Sequence, residues 1–289
     1  MKNKEKIIIE NLLNKKIIDS KLLSNSFDIN CIKINTSDNK KYIVKYYINK
    51  NKEFNAIKCE LDNLIFLNKI ENNFFPKVYS DNSNYLVMSY IENDKKSPKT
   101  TNKDLIEAIV SIHQNSSDTF GFNFDTQIGG LKQINNKTKN WVEFYRELRL
   151  GYIYELVNLS EPMEKSINDK IEFLINNLEN FIPNNPKISL LHGDLWEGNI
   201  LFKNNKFSGF IDPGSFYGHN EMEIAYLRWF NPNFIDKHFL EKYNERITLD
   251  KNYFNYELIY QLYYCLMNVY LWDRAYISDT DNLLKKMKI

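Results

Sequence analysis

The chain has 289 residues, enough to bury a sizeable core, and at roughly 150 residues per domain it suggests about two domains or one two-lobed unit. Lys+Arg total 38 against 37 Asp+Glu, a net charge of +1, so no global field draws the molecule to nucleic acid or to an anionic membrane. Glycine (9) and proline (7) are scarce while aromatics reach 15%, which excludes collagen-like, disordered and linker-rich chains.

The N-terminal residues 1–16 carry lysines, but their longest apolar run is Ile7-Ile8-Ile9; a secretory core needs about 7–15 apolar residues, so no signal peptide is expected. Residues 41–48 (KYIVKYYI) follow the turn signal Ser37-Asp38-Asn39 and read as a strand. Residues 51–70 place Ile57, Leu61 and Leu64 at helical spacing. Residues 85–91 (YLVMSYI) read as a second strand after Asp81-Asn82-Ser83-Asn84. Beyond residue 100 the pattern turns mostly helical, over 101–114, 138–157, 164–181, 221–230 and 250–276, with short apolar runs at 187–191 and 207–211. The most apolar stretch, 258–272, is interrupted by Gln261 and Asn268 and falls short of the ~18 uncharged residues of a membrane span. It reads as a core helix. The three cysteines, Cys31, Cys59 and Cys265, are dispersed, so neither a disulfide framework nor a zinc site is expected and the reducing cytoplasm is the natural compartment. The expected architecture is α+β: a small β-rich lobe, residues 1–91, and a larger mainly helical lobe, residues 92–289.

The segment from Leu190 to Phe202 carries the chemistry. An apolar strand ends in His192-Gly193-Asp194, Asn199 follows the aspartate by five positions, and Asp212 closes the next hairpin after the Asn204-Asn205 turn. Isolated Asp and Asn side chains often cap turns. Here three of them occur in order between apolar strands, which brings them to one end of adjacent strands. The expectation is that they surround one divalent ion at the mouth of a cleft between the two lobes. Phosphoryl transfer from ATP needs a carboxylate to orient the attacking hydroxyl and take its proton. It also needs an amide and a second carboxylate to hold magnesium. The Asp-x-x-x-x-Asn spacing is that of a protein-kinase catalytic loop. Lys45 sits mid-strand with Ile43 and Tyr47 on its face, awkward for a charge unless it is paired. Glu60, four after Ala56 and four before Leu64, projects from the apolar stripe of the next helix and supplies the partner. Lys45 and Glu60 are the expected phosphate-binding pair. Met88 and Ile91, in the strand that ends at the lobe junction, are the expected adenine-binding hinge. His113 and His192 read as structural.

These residues resemble the fructosamine kinase (ketosamine 3-kinase) family, a branch of the aminoglycoside-phosphotransferase and protein-kinase-like fold. The family's L-L-H-G-D-L-W-x-G-N stands at Leu190 to Asn199. Its D-P-(small)-x-(aromatic)-Y-G-H-x-E-x-(acidic) stands at Asp212 to Glu223. Phe120-Gly121-Phe122, Ile128-Gly129 and the run from Trp141 to Gly151 resemble further stretches of its bacterial members. Trp196 and Tyr217-Gly218-His219 separate the family from aminoglycoside and choline kinases. The resemblance implies Mg-ATP-dependent phosphorylation of the 3-hydroxyl of a ketosamine, free or protein-bound, a deglycation activity. It implies Asp194 as catalytic base, Asn199 and Asp212 as magnesium ligands, and Lys45 on the α/β-phosphates oriented by Glu60. Trp196, His219 and Glu221 would stand near the sugar.

Four departures accompany this pattern. No glycine precedes Gly121, so the phosphate-covering turn, placed at residues 24–30, has none and must rely on Asn or Asp for left-handed backbone. Glu197 replaces a small residue beside the catalytic loop. Arg228-Trp229-Phe230 stand where Phe-Gly-Gly is common, and Met267-Asn268 where Asn-His is frequent. Two alternatives follow: phosphotransfer to another amino-alcohol or aminoglycoside, and a nucleotide-binding module without catalysis.

Overall fold

A computed structural model describes residues 2–49, 54–70, 73–80 and 83–289; residues 51–53 of the expected helix and 81–82 of the expected turn lie outside them. The chain divides into two compact units. The first comprises Met1–Ser97, Thr126–Lys132 and Gly198–Gly214, and the second Pro98–Asp125, Gln133–Glu197 and Ser215–Ile289. The boundary expected after residue 91 thus falls at 97, and two later segments join the first unit. Backbone bonding explains the recruitment of 198–214: Phe210 N–H donates to the Phe74 carbonyl at 2.7 Å and Asp94 N–H to the Phe202 carbonyl at 3.1 Å.

In the first unit, α1 (Asn3–Leu13) precedes a four-stranded antiparallel sheet in the order β1 (Ile17–Ser26), β2 (Ile29–Thr36), β3 (Lys41–Tyr47), β4 (Tyr85–Ser89); α2 (Ala56–Ile70) lies between β3 and β4 in the chain. Register sorts the side chains by face, because directly opposed residues share one. Ile32, Ile34, Tyr42, Val44, Tyr46, Tyr85 and Val87 form one buried cluster with Ile9 and Leu13 of α1. The other face carries the row Cys31–Lys45–Leu86 and the pair Ile43–Met88, and α2 packs on it, bringing Glu60 to Lys45. Helix α1 and strands β1 and β2 were not foreseen. β1 is an edge strand exposed along almost all its length, so it shows no period-2 alternation.

The glycine-free turn is a two-residue hairpin between Ser26 and Ile29 in which Phe27 (φ 53°) and Asp28 (φ 62°) are both left-handed. That is the type I′ requirement, normally met by Asn-Gly. Asp28 fits the expectation; Phe27 is a bulky residue in a region it rarely visits. Its side chain lies against Gly130 (φ 82°), where an added Cβ would stand 3.0 Å from Phe27 Cβ. Gly130 belongs to the turn joining β5 (Thr126–Ile128) to β6 (Leu131–Gln133), and β5 in turn packs against α2. The first unit closes with the hairpin β8 (Ile200–Lys203) and β9 (Lys206–Phe210).

The second unit is helical around one short antiparallel pair, β7 (Ile188–Leu191) with β10 (Phe216–His219). Its helices are α3 (Lys103–His113), α4 (Trp141–Tyr145), α5 (Gly151–Ser160), α6 (Lys165–Asn176), α7 (Asn220–Trp229), α8 (Lys237–Asn244), α9 (Tyr253–Leu271) and α10 (Tyr276–Met287). The helix expected over 138–157 is interrupted between α4 and α5 by a π-helical turn, Arg146–Leu150. The turn carries the fully buried Arg149, whose guanidinium lies over Phe216 and Phe144 at 4.0 and 4.6 Å and donates to the Ile134 carbonyl and the Asn135 amide oxygen. Helix α9 is buried on every side over most of its length, which accounts for its apolar sequence. Among the described residues no helix is long and apolar enough to cross a membrane.

Candidate active site

In the first unit the expected Lys45–Glu60 pair is formed and a third member joins it. Lys45 Nζ lies 2.7 and 2.8 Å from the two Glu60 carboxylate oxygens and 2.8 Å from Asp212 Oδ1. Lys45 and Glu60 are buried, whereas the Asp212 side chain is 38% exposed. Burial opposes the ammonium charge, but the fields of Asp212 and Glu60 outweigh it and hold the Lys45 pKa above its ordinary value. Glu60 is pushed up by burial, against the pull of Lys45. Two carboxylates around one cation leave a net negative site, suited to a divalent ion rather than to bare phosphate.

Asp212 follows β9 in a left-handed conformation (φ 56°), which aspartate tolerates better than most residues. Ile211 N–H donates to the Asn199 carbonyl at 3.0 Å, so Asn199 and Asp212 occupy adjacent positions at the open end of the β8–β9 hairpin. Their side chains offer an amide oxygen and a carboxylate, the hard donors that magnesium selects. Magnesium commonly takes only one or two protein oxygens, leaving the rest of its octahedron to water and phosphate. Among the described residues no group of three or more His, Cys, Asp or Glu is assembled into a cage. The residues present fit such a shared ion.

Met88 is buried in β4 opposite Ile43, on the Lys45 face of the sheet. Ile91 follows the strand and packs on the β8–β9 hairpin: an added Cβ at Gly209 would lie 2.8 Å from Ile91 Cδ1, so glycine admits the contact. Cys31, directly opposite Lys45, has its thiol pushed up to about 11 by burial, and it is a neutral thiol at physiological pH.

In the second unit, strand β7 delivers His192-Gly193-Asp194, and the loop is held from α7 by a residue that spacing did not single out. Glu223 accepts hydrogen bonds from His192 N–H at 3.0 Å through Oε2 and from Gly193 N–H at 2.7 Å through Oε1, while His113 Nε2 lies 2.9 Å from the same Oε2. Tyr243 Oη, 2.7 Å from His113 Nδ1, accepts in turn from Asn220. All of these side chains are buried. Burial alone would raise the Glu223 pKa; the His113 hydrogen bond and charge, with the loop N–H groups, outweigh it and keep the carboxylate ionised. The sequence signal was present: Glu223 stands between Met222 and Ile224, in a helix buried from Asn220 to Leu227. A carboxylate in such surroundings must be fully partnered.

Asp194 is half-buried, and its N–H donates to His192 Nδ1 at 3.3 Å. Trp196, 38% exposed, rests its ring on Phe230 at 5.7 Å and leaves an indole surface open. His219 and Glu221 are placed differently, at 4% and 2% exposure. Tyr260 Oη accepts from Trp141 Nε1 at 2.9 Å and lies 2.8 Å from His219 Nδ1. Its own proton therefore goes to Nδ1, leaving Nε2–H directed at Glu221, 3.5 Å away. Glu221 also accepts from Tyr256 Oη and Asp250 N–H. Both side chains are satisfied within the fold.

Burial pushes the His219 pKa down to about 3 from an ordinary 6.5. The unfolded chain therefore binds a proton below pH 6.5 that the folded chain refuses, and stability falls as pH drops from 6.5 toward 3. Between pH 7 and 5 the loss attributable to this imidazole is about 2 kcal/mol. The expected result is that urea unfolding of His219→Asn shows a shallower pH slope over that range than the parent, whatever its absolute stability. Parallel slopes would remove His219 as the titrating group.

Comparison with known proteins extends these observations. The family model described as Fructosamine kinase matches residues 1–289. A chloroplastic protein-ribulosamine 3-kinase of Arabidopsis thaliana is 31% identical over 195 residues, 64% of this chain and 58% of that protein. The crystal structure of a candidate fructosamine-3-kinase from Thermobifida fusca superposes with a TM-score of 0.88 at 20% identity, covering 99% of this chain and 98% of that one. The gentamicin complex of the aminoglycoside phosphotransferase APH(2″)-IIa shares the fold, with a TM-score of 0.69 at 17% identity over 98% of this chain and 96% of its own.

Proposed function

Because the chain belongs to the fructosamine kinase family, we propose that it transfers the γ-phosphoryl group of ATP to the 3-hydroxyl of a ketosamine, a ribulosamine or fructosamine carried on a small amine or a protein. The observation that carries this assignment is the buried Lys45 ammonium, bonded at once to Glu60 and to Asp212 beside Asn199. A cation in that setting needs a standing function, since hydrophobic residues would fill the space at no loss of stability.

Each residue then has one task. Asp194 orients the acceptor hydroxyl and takes its proton as the new O–P bond forms and the bond from the γ-phosphorus to the ADP oxygen breaks. Lys45 binds the α/β-phosphates, with Glu60 fixing its direction. Asn199 and Asp212 would hold the magnesium ion that neutralises charge on the phosphate oxygens. Met88 and Ile91 border the adenine. Trp196 offers its open face to the sugar or to the amine it carries, and His219 and Glu221 act from behind by holding β10 and α7 in place. The three unbridged cysteines suit work in a reducing cytoplasm.

The test is a phosphate-transfer assay with Mg-ATP and a panel of ribulosamine, fructosamine, an aminoglycoside and choline. Phosphorylation of a ketosamine at O3, with at most weak transfer to the other two, is expected. Transfer confined to the aminoglycoside or choline would move the acceptor class. Folded protein that phosphorylates none of the four would sink the enzymatic assignment.

A further inference from the structure

Helix α7 meets the loop after β7 at two points. Near its start Glu223 accepts from His192 N–H and Gly193 N–H. Seven residues on, two turns and about 10 Å along the same face, Phe230 meets Trp196 at 5.7 Å between ring centroids. Asp194 lies on the stretch of loop between these anchors. Trp196 follows it by two positions, so their Cα atoms are at most about 7 Å apart. The helix ends at this point because Asn231 is left-handed (φ 47°) and its N–H returns to the Arg228 carbonyl at 3.1 Å, with Pro232 next.

A third ring extends the contact. Trp229 lies 4.9 Å from Phe230 at 50°, Trp196 and Phe230 are inclined at 42°, and Tyr226 backs Phe230 at 5.5 Å. Trp196 and Phe230 are 38% and 36% exposed, so open aromatic surface is continuous beside the loop that bears Asp194. Rings inclined in this way do not form the parallel slot that grips a flat ligand. They form a trough whose faces suit an ammonium and the methylenes attached to it. The neighbouring Arg228 guanidinium is engaged elsewhere: its Nε donates to Glu257, and it lies over Phe254 at 5.7 Å.

In a ketosamine the amine nitrogen and the 3-hydroxyl are joined through three carbons, so the carrier begins next to the reacting oxygen. We propose that Trp196, Phe230 and Trp229 form the carrier subsite. With O3 at Asp194, the protonated secondary amine and the apolar stem beyond it lie along the ring faces. The chain therefore favours a ketosamine borne on a long alkylamine, such as a lysine side chain, over one borne on a minimal amine. This deepens the ketosamine kinase reading and rests on it. Arg228-Trp229-Phe230 stand where Phe-Gly-Gly is common, so this end of the trough is built by residues particular to this chain.

The test measures initial rates on ribulose and fructose, each carried by methylamine or by the ε-amine of Nα-acetyl-lysine. The parent is expected to show kcat/KM about tenfold higher for the lysine-borne form of either sugar. Phe230→Ala should lose most of that ratio, chiefly through a raised KM for the lysine-borne form. Phe230→Leu keeps apolar area but no ring face, and should retain at most about a third of the ratio. Each ratio is taken within one preparation, so partial unfolding of a variant does not enter it. A ratio equal in parent and both variants would overturn the subsite, even if the variants melt at lower temperature. So would variants that change the preference between sugars and not between carriers, which would give the trough to the sugar. An active parent with a carrier ratio near one removes the subsite alone. A folded parent that phosphorylates none of the four removes the kinase reading, and the subsite falls with it.

Discussion

Asp194→Asn should lower the turnover number by about 10²–10⁴-fold while leaving the protein as stable as the parent. The substitution is nearly isosteric at a half-buried position, and the loop that carries it is held through backbone groups by Glu223, which the change does not touch. What disappears is the capacity to accept the proton released by the attacking hydroxyl, together with the negative charge that directs that hydroxyl at phosphorus. The KM for ATP should stay within about threefold of the parent, because the nucleotide is assigned to Lys45, Asn199 and Asp212. Single-turnover transfer from labelled ATP, with a thermal melt on the same preparation, makes the measurement. A variant retaining more than a tenth of parental turnover would mean that some other group takes the proton.

Lys45→Met is expected to damage stability and catalysis together, and a second substitution should separate them. Removing the ammonium leaves the Glu60 carboxylate buried with no cation against it. Breaking a buried ion pair from one side costs about 3–5 kcal/mol, because the remaining charge is uncompensated. Asp212 suffers less, since its side chain is 38% exposed and water can replace the lost partner. Activity should fall by roughly 10²–10³-fold, the range seen when one preorganised charge-stabilising donor is deleted. In the double variant Lys45→Met/Glu60→Leu no unpaired charge remains in the interior. Most of the lost stability should return, as it does when a buried pair is replaced by apolar residues of similar volume. The activity should not. Chemical denaturation and initial-rate kinetics on the single and double variants test this. Recovery of turnover in the double variant would show that Lys45 acts only through the stability of its surroundings.

The residues whose chemistry is local were legible before any coordinates. Lys45 announced itself as a charge in the middle of an apolar strand, and Glu60 as a carboxylate on an apolar stripe; each demanded a partner, and the two are bonded. Asp194, Asn199 and Asp212 were identified by spacing between short strands. Of these, Asn199 and Asp212 stand on neighbouring positions of one hairpin. The buried strand and helix periods were equally visible. Less legible were β1, whose exposed edge carries no alternation, and the Phe27-Asp28 turn, where contact with Gly130 and not local preference sets an aromatic residue in left-handed backbone. His219 and Glu221 were expected beside the sugar, and their burial among Tyr256 and Tyr260 follows from the position of α9, about 40 residues further along the chain.

By itself the sequence determined most of the elements and singled out the candidate groups they bear, because strand and helix periods and short-range spacing are properties of a few consecutive residues. Tertiary structure alone decided which groups meet. Lys45 bonds to Asp212 across 167 positions, His113 to Glu223 across 110, and the hairpin 198–214 joins a unit built mostly from the first 97 residues. No local pattern encodes such meetings. They are set by the path of the backbone once its apolar faces are buried, and by the requirement that every charge enclosed on the way finds an opposite charge or a hydrogen bond.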